Sequence, residues 1–369
     1  MHSRPRRHAE ILVHYASDAK SGDEVVVITD KGTNSLAESI CRELGSVGAI
    51  PVIISGGTFL TGQDNHVSSY LETSNQPSIP STLVSLIKSA AGICHLRVCQ
   101  NAAELTKTAG ETIATYHKKY KNVLEAALFE NNYTLTQVPT ASGAQLASMD
   151  TEAFAEYVAN ATIRNWEAQA VFQEKMAKLL MTGKEIHLLT DSGTDITFSI
   201  SGNKVINDDG SGVNLPGGEV YTAPVLDSIN GKITFDIPRM IDGRELSQVV
   251  LYFENGDIVD FSSQTNEEYL ETLLSLDEGS NQIGEFGVGM NPDLDRVTKN
   301  MALDEKMHGT VHFALGTAYE SCIGQENERN KSAIHVDMLL DMREDARMTI
   351  DGNTVLRDGE FLFDTPNSD

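Results

Sequence analysis

Short apolar runs alternate with amphipathic segments through the first half of the chain. DEVVVITD (23–30) is typical of a buried strand, and TNSLAESICRELGSVG (33–48) spaces its apolar residues as a helix does, with glycine where the helix would end. IPVIISGG (50–57) predicts the next strand. This order makes a βαβ unit, which implies a parallel sheet covered by helices.

The alternation continues as far as residue 183. Further helices are predicted in STLVSLIKSAA (81–91) and MDTEAFAEYV (149–158), and further strands in GICHLRV (92–98) and NYTLTQVPT (132–140). The segment 102–129 reads as a long helix that Gly110 would interrupt, and IRNWEAQAVFQEKMAKLLMTG (163–183) reads as a strong helix that ends at its glycine.

After residue 183 the pattern becomes that of strands and hairpins. KEIHLLTDSGTDITFSISGNKVI (184–206) alternates around a glycine-containing turn, and MTIDGNTVLRDGEFLF (348–363) closes the chain in the same way. We therefore predict an α/β fold in two domains: residues 1–183 form an α/β domain with a parallel sheet, and residues 184–369 form a strand-rich α+β domain.

Composition and charge argue against some classes of binding partner. The net charge of −25 over 369 residues argues against nucleic acid and anionic membranes. Two explanations of this acidity stay open: an ordinary acidic cytosolic protein, or adaptation to a salty cytosol. No apolar stretch reaches the ~20 residues that span a bilayer, and the first residues do not resemble a secretory signal. We expect a cytoplasmic protein whose four cysteines, none in CxxC spacing, are reduced.

The sequence gives little support for a phosphate-binding site or for covalent catalysis by a serine or cysteine nucleophile. The loops after the predicted strands lack GxGxxG and GxxxxGK[ST] patterns, so the adjacent glycines 56 and 57 predict a tight turn. No GxSxG is present, and Cys322 has no dedicated base beside it in sequence.

Five ionisable residues of the second domain lie in unusual surroundings. His335 and Asp337 interrupt the apolar run SAIHVDMLLDM, and residues two apart in a strand share a face, so both side chains point the same way. Glu219 and Glu285 lie among glycines and apolar residues, where a carboxylate must be solvated, paired or bound to a cation. Together with a histidine from HGTVH, this set suits two divalent ions.

The segment HGTVH (308–312) is not the helical HExxH zinc motif. Gly309 replaces the required glutamate, while Thr310 and Val311 favour a strand. In a strand the two histidines would lie ~13 Å apart, too far to share one ion. His312, inside the predicted strand, is the better ligand candidate, and His308 is expected at the rim.

At these residues the sequence resembles the thermophilic-type metalloaminopeptidases, peptidase family M29. The resemblance is carried by NLPGGEVYTAP, GEFGVGMNP, GTVHFALGTAY and SAIHVDMLLDM, and it extends more loosely over most of the chain. It implies a metal-dependent aminopeptidase with two divalent ions per chain (Zn, Co or Mn) and a dimer whose subunits enclose the site. It further implies the metal ligands Glu219, Glu285, His312, His335 and Asp337, with Glu285 and Tyr319 as catalytic residues.

The resemblance also implies a reaction. Two such ions would activate a water molecule for attack on the peptide carbonyl, Glu285 would move the proton, and Tyr319 would donate a hydrogen bond to the developing oxyanion. The expected substrates are short peptides with a free amino terminus.

Two alternatives remain at this point. His312, His335 and Asp337 alone would form the triad of a mononuclear non-haem Fe(II) ring-cleaving dioxygenase, a class similar in fold to these peptidases. Glu219 and Glu285 argue against it, because one iron ion needs neither. A binding homologue that has lost the reaction is the second alternative.

Overall fold

The computed structural model describes residues 3–55, 70, 73, 74, 78–103, 106 and 126–363. Chain contacts separate two compact units: unit 1 comprises Met1–Asn165 and Gly210–Gly217, and unit 2 comprises Trp166–Asp209 and Gly218–Asp369. The contact boundary lies one helix before the expected boundary at residue 183, and the segment Gly210–Gly217, which was expected in the second domain, belongs to unit 1. That helix belongs to unit 2 because Gln169 and Gln173 donate hydrogen bonds to the backbone carbonyls of Met290 and Glu219, both at 2.9 Å.

Unit 1 is built on a parallel sheet with strand order β2-β1-β3-β4-β8. Its strands are β1 Glu24–Thr29, β2 Ile50–Ser55, β3 Gly92–Arg97, β4 Asn132–Gln137 and β8 Asn214–Leu215. Its helices are α1 Arg4–Ile11, which continues into a π-helical turn Leu12–Ala16, α2 Asn34–Val47, α3 Ser81–Ser89, α4 Ala126–Phe129, α5 Ala141–Leu146 and α6 Thr151–Thr162.

The predicted βαβ unit is confirmed. β1 and β2 pair in parallel, with Glu24 beside Ile50, and α2 connects them. The helix ends where predicted because Gly48 adopts a left-handed conformation (φ 80°), which glycine accepts without a steric penalty. Of the predicted helix 102–129 the structure describes little beyond α4, and the predicted turn at glycines 56 and 57 lies outside the described residues.

Two buried histidines should make the stability of unit 1 depend on pH. His8 Nε2 lies 2.7 Å from Thr136 Oγ1, and His95 Nδ1 lies 3.0 Å from the Tyr133 hydroxyl. Burial lowers the pKa of His8 to about 4 and that of His95 to about 3, below the ordinary 6.5. The unfolded chain therefore takes up protons first as pH falls. The free energy of unfolding therefore falls as the pH drops from ~6.5 to 4, by roughly 3 kcal/mol per histidine.

Urea unfolding followed between pH 7 and pH 4.5 measures this loss. In the variant His8→Gln/His95→Gln, both titrating rings are absent, so a smaller decline with falling pH is expected than in the wild type. An equal decline in both proteins would contradict the prediction.

The described residues of unit 2 form three antiparallel sheets. The large sheet has the order β14-β13-β10-β6-β5-β18-β19-β20, a second sheet has the order β17-β16-β15-β9-β7, and β11 pairs with β12. We call the sheet β17-β16-β15-β9-β7 the site sheet.

The strands of unit 2 are β5 Glu185–Thr190, β6 Asp195–Ser199, β7 Ile206–Asp208, β9 Glu219–Thr222, β10 Asn230–Phe235, β11 Arg239–Ile241, β12 Arg244–Leu246, β13 Val249–Glu254, β14 Asp257–Ser262, β15 Ile283–Gly289, β16 Thr310–Gly316, β17 His335–Asp341, β18 Ala346–Ile350, β19 Asn353–Arg357 and β20 Glu360–Phe361. The helices are α7 Trp166–Thr182, α8 Glu267–Leu274 and α9 Met301–Asp304.

The site sheet has one apolar face and one polar face. Phe286, Phe313 and Met338 belong to the main hydrophobic core together with residues of the large sheet, α7 and α8. The Phe198 ring of the large sheet packs against Phe286 and Phe313, with centroids 5.0 and 5.4 Å apart. Because strand side chains alternate in direction, burial of these residues leaves their neighbours on the opposite face.

The α/β fold class with a parallel-sheet part and a strand-rich part is confirmed. No helix in the described part of the chain is long and apolar enough for a membrane crossing.

Candidate metal centre

Four neighbouring strands of the site sheet carry the five predicted ligand residues on its polar face. β9 supplies Glu219 and β15 supplies Glu285, while β16 supplies His312 and β17 supplies both His335 and Asp337. In the ladder His312 lies opposite Gly287, and Asp337 lies opposite Ala314, two positions beyond His312. Pairing of distant segments thus brings all five side chains together.

The side chains follow one another in a continuous series. Nε2 of His312 lies 3.3 Å from Oε2 of Glu219 and 3.4 Å from Oε1 of Glu285. Nε2 of His335 lies 4.0 Å from Oε2 of Glu285 and 3.4 Å from Oδ1 of Asp337. Glu285 therefore occupies the middle of the series, between the two imidazoles.

Three buried carboxylate oxygens in this series accept no hydrogen bond within the described structure: Oε2 of Glu219, Oε2 of Glu285 and Oδ1 of Asp337. Their residues are only 4%, 5% and 8% exposed. Buried charged oxygens of this kind are costly unless a cation or donor meets them. The donor set of carboxylate oxygens and imidazole nitrogens fits divalent metal ions. Ligand atoms of Glu285, His335 and Asp337 all lie within 4.8 Å of one another, close enough to hold one ion.

His335 is oriented as metal-binding histidines usually are. Its Nδ1 lies 2.9 Å from the carbonyl oxygen of Thr317, so Nδ1–H donates to that carbonyl. The lone pair of Nε2 is then directed toward Glu285 and Asp337. A backbone carbonyl commonly fixes the tautomer of a ligand histidine in this way.

The charges of the series act on one another. Burial alone would lower the pKa of His312, but the carboxylates of Glu285 and Glu219 outweigh burial and raise it to about 9. Burial would raise the pKa of Asp337, but the adjacent His335 outweighs burial and lowers it. Burial raises the pKa of Glu219 against the opposing charge of Lys306. Excess negative charge in a buried site is what a bound cation would relieve.

Tyr319 lies beside the series, and His308 lies elsewhere in unit 2. The Tyr319 ring is 5.0 Å from the His335 ring, measured between centroids. The His308 ring packs edge-on against Phe361 at 5.0 Å and stacks on Phe172 at 6.5 Å. Burial raises the pKa of the Cys322 thiol, and the Glu285 carboxylate adds to this effect, so the thiol stays protonated and weakly nucleophilic.

Sequence reasoning missed Lys306. This side chain is 0% exposed, and its Nζ lies 2.8 Å from Oε1 of Glu219. In the sequence it follows Asp304 and Glu305 and reads as part of a solvated charged turn. Glu219 has no basic residue near it in sequence, but Lys306, 87 residues away along the chain, donates a hydrogen bond to it. No local pattern marks such a pair.

Sequence reasoning also missed Gly287 and Tyr221. A Cβ atom on Gly287 would lie 2.1 Å from Nε2 of His312, so the imidazole occupies the space that a side chain would fill. Glycines alternating with Phe286 and Val288 in GEFGVG were the available signal, since glycine in a strand often marks a close approach. Tyr221 pairs with Gly287 in the ladder, and its ring lies 5.9 Å from that of Tyr319. Burial raises the pKa of Tyr221, and Glu285 adds to the effect.

The sequence of this chain is similar to a family of metalloproteases and to several aminopeptidases. The model of the thermophilic metalloprotease (M29) family matches residues 1–361. Aminopeptidase AmpS of Bacillus subtilis (strain 168) is 30% identical over 202 residues, which cover 46% of this chain and 48% of that protein. Aminopeptidase T of Thermus aquaticus is 28% identical over 219 residues, which cover 53% and 51%. These matches span about half the length of the curated relatives.

Two solved structures share the fold over nearly the whole chain. Wild-type AmpT from Thermus thermophilus has a TM-score of 0.82 and 21% identity, covering 97% of this chain and 99% of that one. The 2,5-dihydroxypyridine dioxygenase from Pseudomonas putida KT2440 has a TM-score of 0.59 and 14% identity, covering 98% of both chains. At these identities the likeness concerns the fold alone.

Proposed function

Because the chain belongs to the thermophilic metalloprotease (M29) family, we propose that it is a metal-dependent aminopeptidase that removes the amino-terminal residue of short peptides. The observation that carries the proposal is the convergence of five ligand candidates on one face of the site sheet, with three buried carboxylate oxygens that accept no hydrogen bond among the described residues.

In this proposal the five residues hold two divalent ions. Glu285, His335 and Asp337 offer one group of ligand atoms, and Glu219 and His312 offer another on the other side of Glu285. Two bound divalent ions would lower the pKa of a water molecule and polarise a substrate carbonyl. The donor set of carboxylates and imidazoles suits zinc, cobalt and manganese.

Glu285 is the residue best placed to move a proton. Its carboxylate lies between the two imidazoles, with one oxygen 3.4 Å from His312 and the other 4.0 Å from His335. A carboxylate in this position would accept the proton of the attacking water and deliver it to the leaving amine. The same carboxylate is also a ligand candidate, so its two oxygens would have different tasks.

Tyr319 is proposed to stabilise charge on the substrate. The phenol lies next to His335, with the ring centroids 5.0 Å apart. A phenol hydroxyl beside the ligand cluster would donate a hydrogen bond to the oxyanion that develops from the peptide carbonyl. The net charge of −25 favours the approach of a positively charged amino terminus.

The Fe(II) dioxygenase alternative is disfavoured. A mononuclear site made of His312, His335 and Asp337 gives no role to the Glu219 and Glu285 carboxylates, which lie 3.3 and 3.4 Å from His312 Nε2. We further propose a cytoplasmic homodimer that admits short peptides and excludes folded proteins.

The test of the proposal is hydrolysis of a free-amine substrate. With added Co(II), Mn(II) or Zn(II), the purified protein should release ammonia from leucine amide and should leave N-acetyl-leucine amide intact, because an exopeptidase must recognise the α-amine. Equal hydrolysis of the two amides would exclude an aminopeptidase. Elemental analysis of the same preparation should find two divalent ions per chain, whereas one iron per chain would favour the dioxygenase.

A further inference from the structure

Lys306 is a fully buried cation surrounded by carboxylates. Its side chain is 0% exposed, and Nζ lies 2.5 Å from Oε1 of Glu305, 2.8 Å from Oε1 of Glu219 and 3.5 Å from Oδ2 of Asp208. The three carboxylates are themselves largely buried, with side chains between 6% and 15% exposed. An ammonium group without water around it persists only where such partners compensate its charge.

The two oxygens of Glu219 have different surroundings. Oε1 accepts a hydrogen bond from Lys306, whereas Oε2 faces His312 at 3.3 Å and accepts no hydrogen bond from the described residues. Asp208 lies directly opposite Glu219 in the ladder between β7 and β9, so its negative charge stands next to that of Glu219. Without Lys306, adjacent buried carboxylates would repel one another, and Oε1 of Glu219 would lose the hydrogen bond that Lys306 donates to it.

We propose that Lys306 is a positioning residue that serves as an internal counter-ion of the metal centre. It holds Glu219 by one oxygen so that the other is presented toward His312, and it keeps the acidic cluster folded when no metal is bound. This inference rests on the part of the proposed function that makes Glu219 a metal ligand. It assigns the acidic group Asp208, Glu219 and Glu305 a permanent cation in addition to the exchangeable metal ions.

The variant Lys306→Met separates this role from that of an ordinary buried ion pair. Methionine keeps the aliphatic stem and removes the charge. In EDTA the melting temperature of the variant should fall by roughly 10 °C, since removal of one member of a buried ion pair leaves uncompensated charge. Mn(II) should recover most of this loss, because a divalent cation can replace the missing ammonium. The melting temperature should therefore rise more on Mn(II) addition in the variant than in the wild type.

A second readout follows the geometry of Glu219. With Oε1 released, this carboxylate can offer both oxygens to an ion, so the visible absorption spectrum of the Co(II)-loaded variant should differ from that of the wild type. A purely structural ion pair predicts lower stability with an unchanged Co(II) spectrum and an unchanged shift on Mn(II) addition. That result would overturn the inference.

Glu305→Gln is the matched control. The Glu305 side chain also contacts Lys306, but its replacement leaves the contact between Lys306 and Glu219 in place. The shift in melting temperature of this variant on Mn(II) addition should therefore equal that of the wild type. If Lys306→Met does not fold in EDTA, two further measurements test the inference. They are the folding of Lys306→Met in Mn(II) and the folding of the double variant Lys306→Met/Glu305→Gln in Mn(II). Failure of both variants to fold with Mn(II) counts against the inference. A wild-type protein that binds no metal would instead refute the proposed function itself.

Discussion

Glu285→Gln is expected to lower kcat for leucine amide by roughly 10²–10⁴-fold, because glutamine cannot accept a proton from water and return it to the leaving amine. The residue is 5% exposed and central to the cluster, with His312 at 3.4 Å and His335 at 4.0 Å. Glutamine has almost the same shape, so the strand β15 and the neighbouring ligand candidates should keep their places. The measurement is kcat and KM at saturating metal, together with metal content and circular dichroism.

Metal content distinguishes the two tasks proposed for Glu285. A variant that retains two ions per chain and loses turnover would assign Glu285 chiefly to proton transfer. Loss of an ion along with turnover would assign it chiefly to metal binding. The exposed Glu278→Gln is the control, because it changes the same chemical group away from the cluster and should leave kcat unaltered. Turnover of Glu285→Gln within about threefold of the wild type would rule out both tasks.

Gly287→Ala should disable the site through a single methyl group. The added Cβ would lie 2.1 Å from Nε2 and 2.2 Å from Cε1 of His312, far inside van der Waals contact. Either the imidazole leaves its position between Glu219 and Glu285, or β15 and β16 separate. We expect activity to fall at least about 100-fold, with weaker metal binding and a stability cost of about 1–3 kcal/mol from overpacking.

A double-variant cycle tests whether the clash with His312 is the cause. In the background His312→Ala the methyl group has room, so Gly287→Ala should cost much less stability there than in the wild type. The variant Gly45→Ala is the matched control, because a Cβ at this exposed helical position meets no atom within 4 Å. It should preserve activity and slightly stabilise α2. Equal stability costs in both backgrounds would contradict the proposed clash.

Local patterns were sufficient to predict much of the fold. Apolar runs and amphipathic spacing identified β1, α2 and β2 and their parallel arrangement, because a βαβ unit is encoded within one short stretch. The hairpin of β18 and β19 was similarly recognisable from alternation around a turn. The helix α7 was recognised as a helix, but its membership of unit 2 depends on hydrogen bonds from Gln169 and Gln173 to distant backbone carbonyls, which periodicity does not encode.

By itself, the sequence determined the unusual character of the ligand candidates and the shared direction of His335 and Asp337, because the two-residue period of a strand is a local property. Only the tertiary structure decided which side chains meet. Strand pairing places Glu285 beside His312 across 27 residues of chain. The turn that follows α9 places Lys306 beside Glu219 across 87 residues. The tertiary structure also decided that Gly287 leaves room for an imidazole. Such contacts arise from the register between separate segments, and register follows from packing of the whole sheet.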